Sequence, residues 1–356
     1  MRYSWATLPP ELLFLILEAE PAALSAASSR RAHRQLLLAC ALVCKTWADI
    51  AQTIIFRHIH VEHSPEYRNV FARLVSTLSY LSHTKRFLPL ATRTLAIDVG
   101  DHWLPHGKTC THADTSSVAL AVHLCSRLVH LRLHVREGVR HSFSESSLAL
   151  LRTTRTVTKL SISADSSPML PQLLHVWPQL TFLDSRTSSG FPSPVTPPNM
   201  PARCAIRELH ASGTAPDSIA RLAAPFACSL RALTLVSHQR TGAPPTRSLF
   251  DGSVPLPALE SATLDCEFDA GTLDALPGGI AHLGLVFWDR ALYAVLKAFV
   301  ARRTGTLKAL SLLAPRACTT GRDADESGLL DLCAQNGITV RYRTREELVT
   351  SGASWC

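Results

Sequence analysis

The chain has no apolar run near its start that is long enough to cross a bilayer. The longest there, Leu36 to Cys44, is closed by Gln35 and Lys45 and falls far short of the ~20 residues a helical span requires. No secretory leader is expected either. Glu11, Glu18 and Glu20 surround the short run Leu12 to Leu17, where a leader has a basic start, a longer apolar middle and a small-residue cleavage site. No CxxC pair or short-chain disulfide framework occurs among ten scattered cysteines, several of them inside apolar periodic segments. They read as reduced, mostly buried thiols of a cytoplasmic or nuclear protein. Nucleophile elbow, phosphate loop, dinucleotide fingerprint and HExxH are all missing, so no enzyme and no cofactor is expected. Nor is there a strong charge bias: 36 Lys and Arg against 28 Asp and Glu give +8 spread over the chain. That balance speaks to solubility and steering, and neither a membrane nor a nucleic acid is the expected partner.

What is present is a globular chain of 356 residues, 46% hydrophobic, with room for a large core or two domains. The expected organisation is a helical module over 1–62, a connecting region over 63–127, a repeat region over 128–345 and a tail over 346–356. In the module, Pro9 and Pro10 suit the first turn of a helix, where a missing N–H costs nothing, and Glu11 complements the positive end of its dipole. Leu8, Leu12, Leu13, Ile16 and Leu17 then fall on one stripe. A second helix is expected across LLLACALVCKTW, Leu36 to Trp47. It carries Cys40, Val43, Cys44 and Trp47 at i, i+3, i+4 and i+7, and Leu38 and Leu42 toward another side, so its first half is apolar nearly all round. A unit of roughly 40 to 60 residues buries too small a fraction of its chain to be secure alone. Surplus apolar faces predict a partner.

LPPELLFLILEAE and ACALVCKTWADIAQTIIFRHIHVE resemble, in the right order, the opening LPxEl segment and the Val-Cys-x-x-Trp core of the F-box family. The resemblance covers about residues 7 to 62, and the run resembles in particular the F-box proteins common in mushroom-forming fungi, where a Phe-Arg turn leads into the first strand of the following region. It implies binding to the Skp-type adaptor of a cullin-RING ubiquitin ligase. The residues it assigns are Leu8, Pro9, Leu12, Leu13, Ile16 and Leu17, with Leu38, Val43 and Trp47 from the second block. The other reading is that these are core residues of a helical cap on the repeats. Between the blocks, PAALSAASSRRAHR (21–34) is longer than the usual F-box connection and, being rich in Ala, Ser and Arg, is expected to loop out.

From Leu128 a pattern of apolar, two others, apolar recurs as LVHLRL, VTKLSI, LTFLDS, IRELHA, LRALTL, LESATL, IAHLGL and LKALSL. The fourth residue of each (131, 160, 183, 209, 233, 262, 283 and 310) follows the last by 21 to 29 residues, within the leucine-rich-repeat period. Such strands bury their leucines only when neighbours stack on them. Helical spacing lies between several copies, and the Pro-rich stretches 190–202 and 242–257 mark surface loops. The region resembles the degenerate leucine-rich repeats that follow F-boxes, without the Asn that normally caps each turn. At that position stand Arg136, Asp165, Ser188, Thr214, His238, Glu267, Trp288 and Pro315. The expected fold is α/β: a helical F-box-like module, then an irregular leucine-rich-repeat solenoid with parallel strands and helices or loops on its convex side. A Rossmann-like alternating sheet is the rival.

These readings make the chain a substrate-recognition subunit that binds the adaptor by its helices and an unknown protein substrate by the repeats. The outward residues between the leucines are the candidate substrate contacts: His130, Arg132, Lys159, Ser161, Glu208, His210, Thr234, Thr263, Asp265 and Ser311. Two alternatives stay open, a scaffold outside ubiquitin transfer with a decayed F-box, and a polyanion binder using the Arg- and His-rich segment 123–155. Asp101, His102, His106, Cys110, His112 and Asp114 are dense in donors, but H-x3-H-x3-C-x-H matches no zinc spacing; a polar surface loop is expected there, with no metal.

Overall fold

Each LxxLxL block becomes a strand, and within each unit the parallel strands lie side by side in chain order. The computed structural model describes residues 9–18, 27–61, 70–85, 87–99, 102–103, 109–110, 114–135, 142–163, 169–186, 204–212, 219, 222–236, 255–265, 268, 270–286, 292–313 and 324–343. Leu8, residues 21–26, Asp101, His106, His112, the stretches 190–202 and 242–254 and the tail 346–356 lie outside these. Two compact units divide the chain, 1–158 and 159–356.

The first unit opens with helices α1 (Pro10–Glu18), α2 (Ala27–Cys40) and α3 (Lys45–Arg57), followed by strand β1 (His58–Val61). Helices α4 (Val70–Thr84) and α5 (Phe87–Ala91) lead to β2 (Thr94–Val99). A two-residue antiparallel ladder then pairs β3 (His102–Trp103) with β4 (Thr109–Cys110), where a loop was expected. Helix α6 (Thr115–Leu124), β5 (His130–Val135) and α7 (Glu145–Arg152) complete it. β1, β2 and β5 are parallel, with Ile59, Leu95 and Leu131 in one register row and Val61, Ile97 and Leu133 in the next. Among the described residues, α6 and α7 carry side-chain caps: Asp114 accepts from the Ser117 N–H at 2.7 Å and Ser144 from that of Ser147 at 3.2 Å, satisfying first-turn donors that have no intrahelical acceptor.

Two expectations are corrected here. Residues 27–34 do not loop out but form the first half of α2; Ala and Arg are good helix formers, and their low hydropathy hid the helix. The single helix expected across Leu36 to Trp47 is two, because α2 stops at Cys40, a turn covers Ala41 to Val43, and α3 starts at Lys45.

The second unit is a parallel sheet with strands β6 (Lys159–Ser163), β7 (Phe182–Arg186), β8 (Glu208–Ser212), β9 (Ala232–Val236), β10 (Ser261–Asp265), β11 (His282–Leu285), β12 (Ala309–Leu313) and β13 (Thr339–Arg343). Between them run α8 (Met169–Val176), a short 3-10 turn (Ala224–Phe226), α9 (Ala270–Ala275), α10 (Leu292–Arg302) and α11 (Ala324–Gln335). Leu160, Leu183, Leu209, Leu233, Ala262, Leu283, Leu310 and Val340 stand in one register row. The repeat-defining residues of this unit are therefore neighbours in space. All of the row but the half-buried Val340 are buried, with Trp177 and with Leu173, Leu296, Phe299 and Leu329 of the helices. The strand order never reverses, unlike a doubly wound Rossmann sheet with its switch point; this is an α/β solenoid-like arrangement.

With no Asn ladder, other side chains satisfy carbonyls of the preceding repeat, in the lead-in to a strand or at the end of a helix. Thr156 donates to Leu128 O at 2.7 Å in the first unit. In the second, Cys204 donates to Leu174 O at 2.8 Å, Ser229 to Ile206 O at 2.9 Å and Arg303 to Leu276 O at 2.5 Å. Each joins one repeat to the one before it, which removes a buried unpaired acceptor.

Candidate functional site

α1 begins on Pro10, and the Leu13 N–H reaches Pro9 O at 3.1 Å to close the first turn. Leu13 and Leu17, one turn apart, point inward with Leu37, Cys40, Ala51 and Ile54, and Phe14, Ala41, Trp47, Ile50 and Ile55 pack around them. Glu18 and Arg57 form an ion pair between the last turns of α1 and α3. The turn between α2 and α3 is fixed by Leu42 N–H to Ala39 O and Val43 N–H to Cys40 O, both 3.1 Å, which swings Leu42 and Val43 away from the core.

The opposite surfaces stay open. Leu12, Leu15, Ile16, Leu36, Leu38 and Val43 are 49 to 63% exposed, and Leu42 is 88% exposed. Covering the exposed half of such a side chain is worth about 1 kcal/mol, and a cluster of seven within 32 residues of chain is unlike the scattered single apolar residues of an ordinary surface. Leu12 with Leu15 and Ile16 holds one helix face by i, i+3, i+4 spacing.

Among the docking residues expected from sequence, Pro9, Leu12, Ile16, Leu38 and Val43 are exposed, whereas Leu13 and Leu17 are buried and Trp47 is half-buried against the module's own core. The single stripe expected on α1 is therefore two faces. In a run as dense as LLFLIL every 100° step meets an apolar side chain, so periodicity cannot say which leucines the core takes. Leu15, Leu36 and Leu42 are not among the docking residues the resemblance assigns, although Leu36 and Leu42 stand in its second apolar block.

The strand face opposite the leucine rows carries the expected substrate contacts, aligned row by row. In the first unit His130 is half-buried and Arg132 exposed on β5. In the second, one register row reads Ser161, Asp184, His210, Thr234, Thr263, Gly284, Ser311 and Arg341. Lys159 is exposed, and Ser161, Glu208 and His210 are half-buried. Thr234, Thr263, Asp265 and Ser311 are buried, which corrects the expectation that they face outward into solvent. Short side chains on strands about 4.8 Å apart shield one another; a Cβ on Gly284 would come within 2.9 Å of Thr263 Oγ1.

Around β7 this face gathers a polar cluster. Arg186 Nε and Nη2 donate to the buried Asp184 carboxylate at 2.9 to 3.2 Å, and that bond raises the guanidinium's pKa further. The Phe182 ring meets the His210 ring edge-on at 5.0 Å and lies 5.6 Å from the Lys159 ammonium. Burial holds the His210 imidazole below its usual pKa, with Asp184 opposing and Arg186 assisting. Burial raises the Glu208 carboxyl, and Lys159 pulls it back. Phe182, Asp184 and Arg186 escaped the sequence reading although the first two sit at the same offsets beside Leu183 as the residues chosen in other blocks.

In the Arg- and His-rich segment, His123 Nδ1 is 2.7 Å from Thr153 Oγ1 and Arg152 is 3.8 Å from Glu145, so part of its polarity is spent within the unit. Among the described residues no three of His, Cys, Asp and Glu converge as a metal site, and no helix is long and apolar enough to cross a membrane. No curated protein matches the chain. Residues 5–62 match the F-box-like family model, the stretch in which, among the described residues, three helices close a small core and leave seven large apolar side chains outside it; this module is an F-box-like domain.

Proposed function

We propose that the chain is the substrate-recognition subunit of a Skp-cullin-F-box-type ubiquitin ligase. F-box domains generally bind Skp-type adaptors, and the observation that carries the reading is the open apolar surface of Leu12, Leu15, Ile16, Leu36, Leu38, Leu42 and Val43. The adaptor covers that surface. The parallel-strand unit, read as leucine-rich repeats of degenerate type, presents a protein substrate. The chain performs no chemistry itself; ubiquitin transfer belongs to other subunits, and what the repeats supply is proximity. It works in the cytoplasm or nucleus.

The test is co-expression of the full chain with a Skp-type adaptor, followed by size-exclusion chromatography and calorimetric titration. A stoichiometric complex is expected, and Leu12→Asp combined with Leu42→Asp abolishes it. If the double variant still binds as the wild type does, the docking assignment is wrong. If no adaptor binds the wild type, the ligase reading falls and the scaffold reading replaces it.

A further inference from the structure

On β1, β2 and β5 of the first unit, alternate side chains leave the apolar rows and face the other way. The outer two strands carry long polar ones there, His58 and His60 on β1 and His130, Arg132 and His134 on β5. The strand between them carries short ones: Thr94 stands in register between His58 and His130, and Ala96 between His60 and Arg132. Two walls about 10 Å apart, twice the strand spacing, therefore flank a floor with little side chain to fill it. The result is a channel along β2. His58, His60, Arg132 and His134 are exposed, and His130 is half-buried.

Charge sets this channel apart from the corresponding face of the second unit. There both signs occur and meet one another, Arg186 on Asp184 and Lys159 against Glu208. Here, among the described residues, four imidazoles and a guanidinium share the face with one carboxylate, Asp98, which stands in register with His134. Of the cations that lead into these strands, Arg57 pairs with Glu18, and Arg93 donates to Arg127 O at 3.1 Å. An imidazole donates an N–H whether or not it is charged, and it gains positive charge as pH falls below about 6.5. Such walls suit carboxylates. They suit a nucleic acid poorly, because single strands are held by several Lys or Arg and by aromatic platforms for the bases, and these positions offer one guanidinium and no Phe, Tyr or Trp.

We propose that this channel binds an extended acidic segment of a protein partner. Its rows repeat every ~6.6 Å along the strands, which is the spacing of alternate residues in an extended chain. Asp or Glu side chains two residues apart therefore meet successive rows, His58 with His130 and then His60 with Arg132. None of these residues belongs to the open apolar surface of the helical module, so the proposal goes beyond the ligase reading and stands without it.

Fluorescence anisotropy of the full chain with a labelled dodecapeptide of alternating Glu and Gly, set against its Gln and Gly counterpart, tests it. At pH 6.0 the Glu peptide is expected to bind at least about tenfold tighter than the Gln peptide, and at least about threefold tighter than it does itself at pH 7.5, since carboxylates favour the charged imidazole. His60→Gln combined with Arg132→Gln is expected to bring the Glu peptide to within about twofold of the Gln peptide, with thermal melting checked in parallel. Asp98→Asn should instead tighten binding about threefold, a gain that misfolding cannot mimic. Arg207→Gln, which removes an exposed charge from the second unit, should change nothing; a loss as large as that of the double variant would mean attraction by net charge and overturn the site. No binding of the Glu peptide, binding indifferent to pH, a folded double variant that binds as the wild type does, or no gain from Asp98→Asn also overturns it. So does a single strand of twelve thymidines held more tightly than the Glu peptide, which would make the channel a nucleic-acid surface. If the double variant fails to fold, Asp98→Asn decides.

Discussion

In the helical module Leu12, Leu15, Leu36, Leu38 and Leu42 lie open to solvent, while in the second unit Leu160, Leu183, Leu209, Leu233, Leu283 and Leu310 are buried. Among the described residues of that unit Tyr342, on the last strand, is the one large apolar side chain left exposed. The residue type is the same and the outcome opposite. A strand repeat can always hide its leucines on the next copy, so adding copies completes the core. Three short helices have only one small interior, and it is filled by Leu13, Leu17, Leu37, Cys40, Ala51 and Ile54. Whatever else is apolar there has nowhere to go within the module.

The contrast can be broken most directly at the open surface. Replacing Leu12 and Leu42 together by Asp is expected to weaken adaptor binding by on the order of 100-fold or more, since each places a charge where an apolar contact was. The melting temperature should stay close to wild type, because neither side chain supports the interior. A large drop in thermal stability would mean that these leucines belong to the fold after all.

Thiol labelling gives a second contrast. Burial pushes the thiols of Cys125 and Cys204 up to about 11, with Thr92 partly opposing at Cys125, whereas Cys44 is exposed at the start of α3. At pH 8 the buried pair should react with a maleimide on the order of 100-fold more slowly than Cys44. Bound adaptor should protect Cys44, which sits next to Val43. Mass spectrometry of partly labelled protein reads both, and equal labelling of all three would contradict the burial pattern.

Inside the second unit, Leu209→Ala or Leu310→Ala should lower unfolding free energy by about 2–5 kcal/mol, measured by urea denaturation, with adaptor binding unchanged. Leu13→Ala is the instructive intermediate, since it should destabilise the module and weaken docking at once. A smaller effect is expected from Gly284→Ala, about 1–3 kcal/mol, because its Cβ would press on Thr263 Oγ1 and Cγ2 at 2.9 and 3.2 Å. Thr263→Ala in the same chain should recover most of the loss. Absence of recovery would show that the strain lies elsewhere.

The mildest expected effect is with pH. Burial depresses the pKa of both His210 and His282 in the folded chain; Arg186 at the first, and Lys308 and Arg341 at the second, push the same way, against Asp184 and Glu260 respectively. The unfolded chain therefore takes up protons first, so stability is full above about pH 6.5 and declines as pH falls toward the depressed folded values. His210→Gln with His282→Gln should flatten the decline in melting temperature between neutral and mildly acid pH. An unchanged slope would assign it to other groups.

Much of this architecture was legible because strands advertise themselves by repetition. The eight blocks gave the position of each β-strand from β5 to β12, and the residues one would align by eye are those that pair by register in the second unit. α2 was not legible in its first half, since ASSRRAHR has the composition of a linker and becomes helical as the lead-in to Leu37 and Cys40. The break between α2 and α3 had no Gly or Pro to announce it. At the docking surface, composition revealed the surplus but not its partition, because Leu12 and Leu13 are equally greasy neighbours and only the fold decides which one faces in. On the strand face the rule of alternation assigned Thr234, Thr263, Asp265 and Ser311 correctly to the side away from the leucines, and said nothing about how deeply they would be shielded there.

The protrusion of Leu42 from the α2–α3 turn has a consequence for how the protein must be made. A ribosome releases the module before the strand unit exists to follow it, and from that moment the tip is a hydrophobic hook with no companion. With the proposed adaptor translated alongside it, recombinant yield is expected to rise, because an uncovered apolar tip favours association between copies.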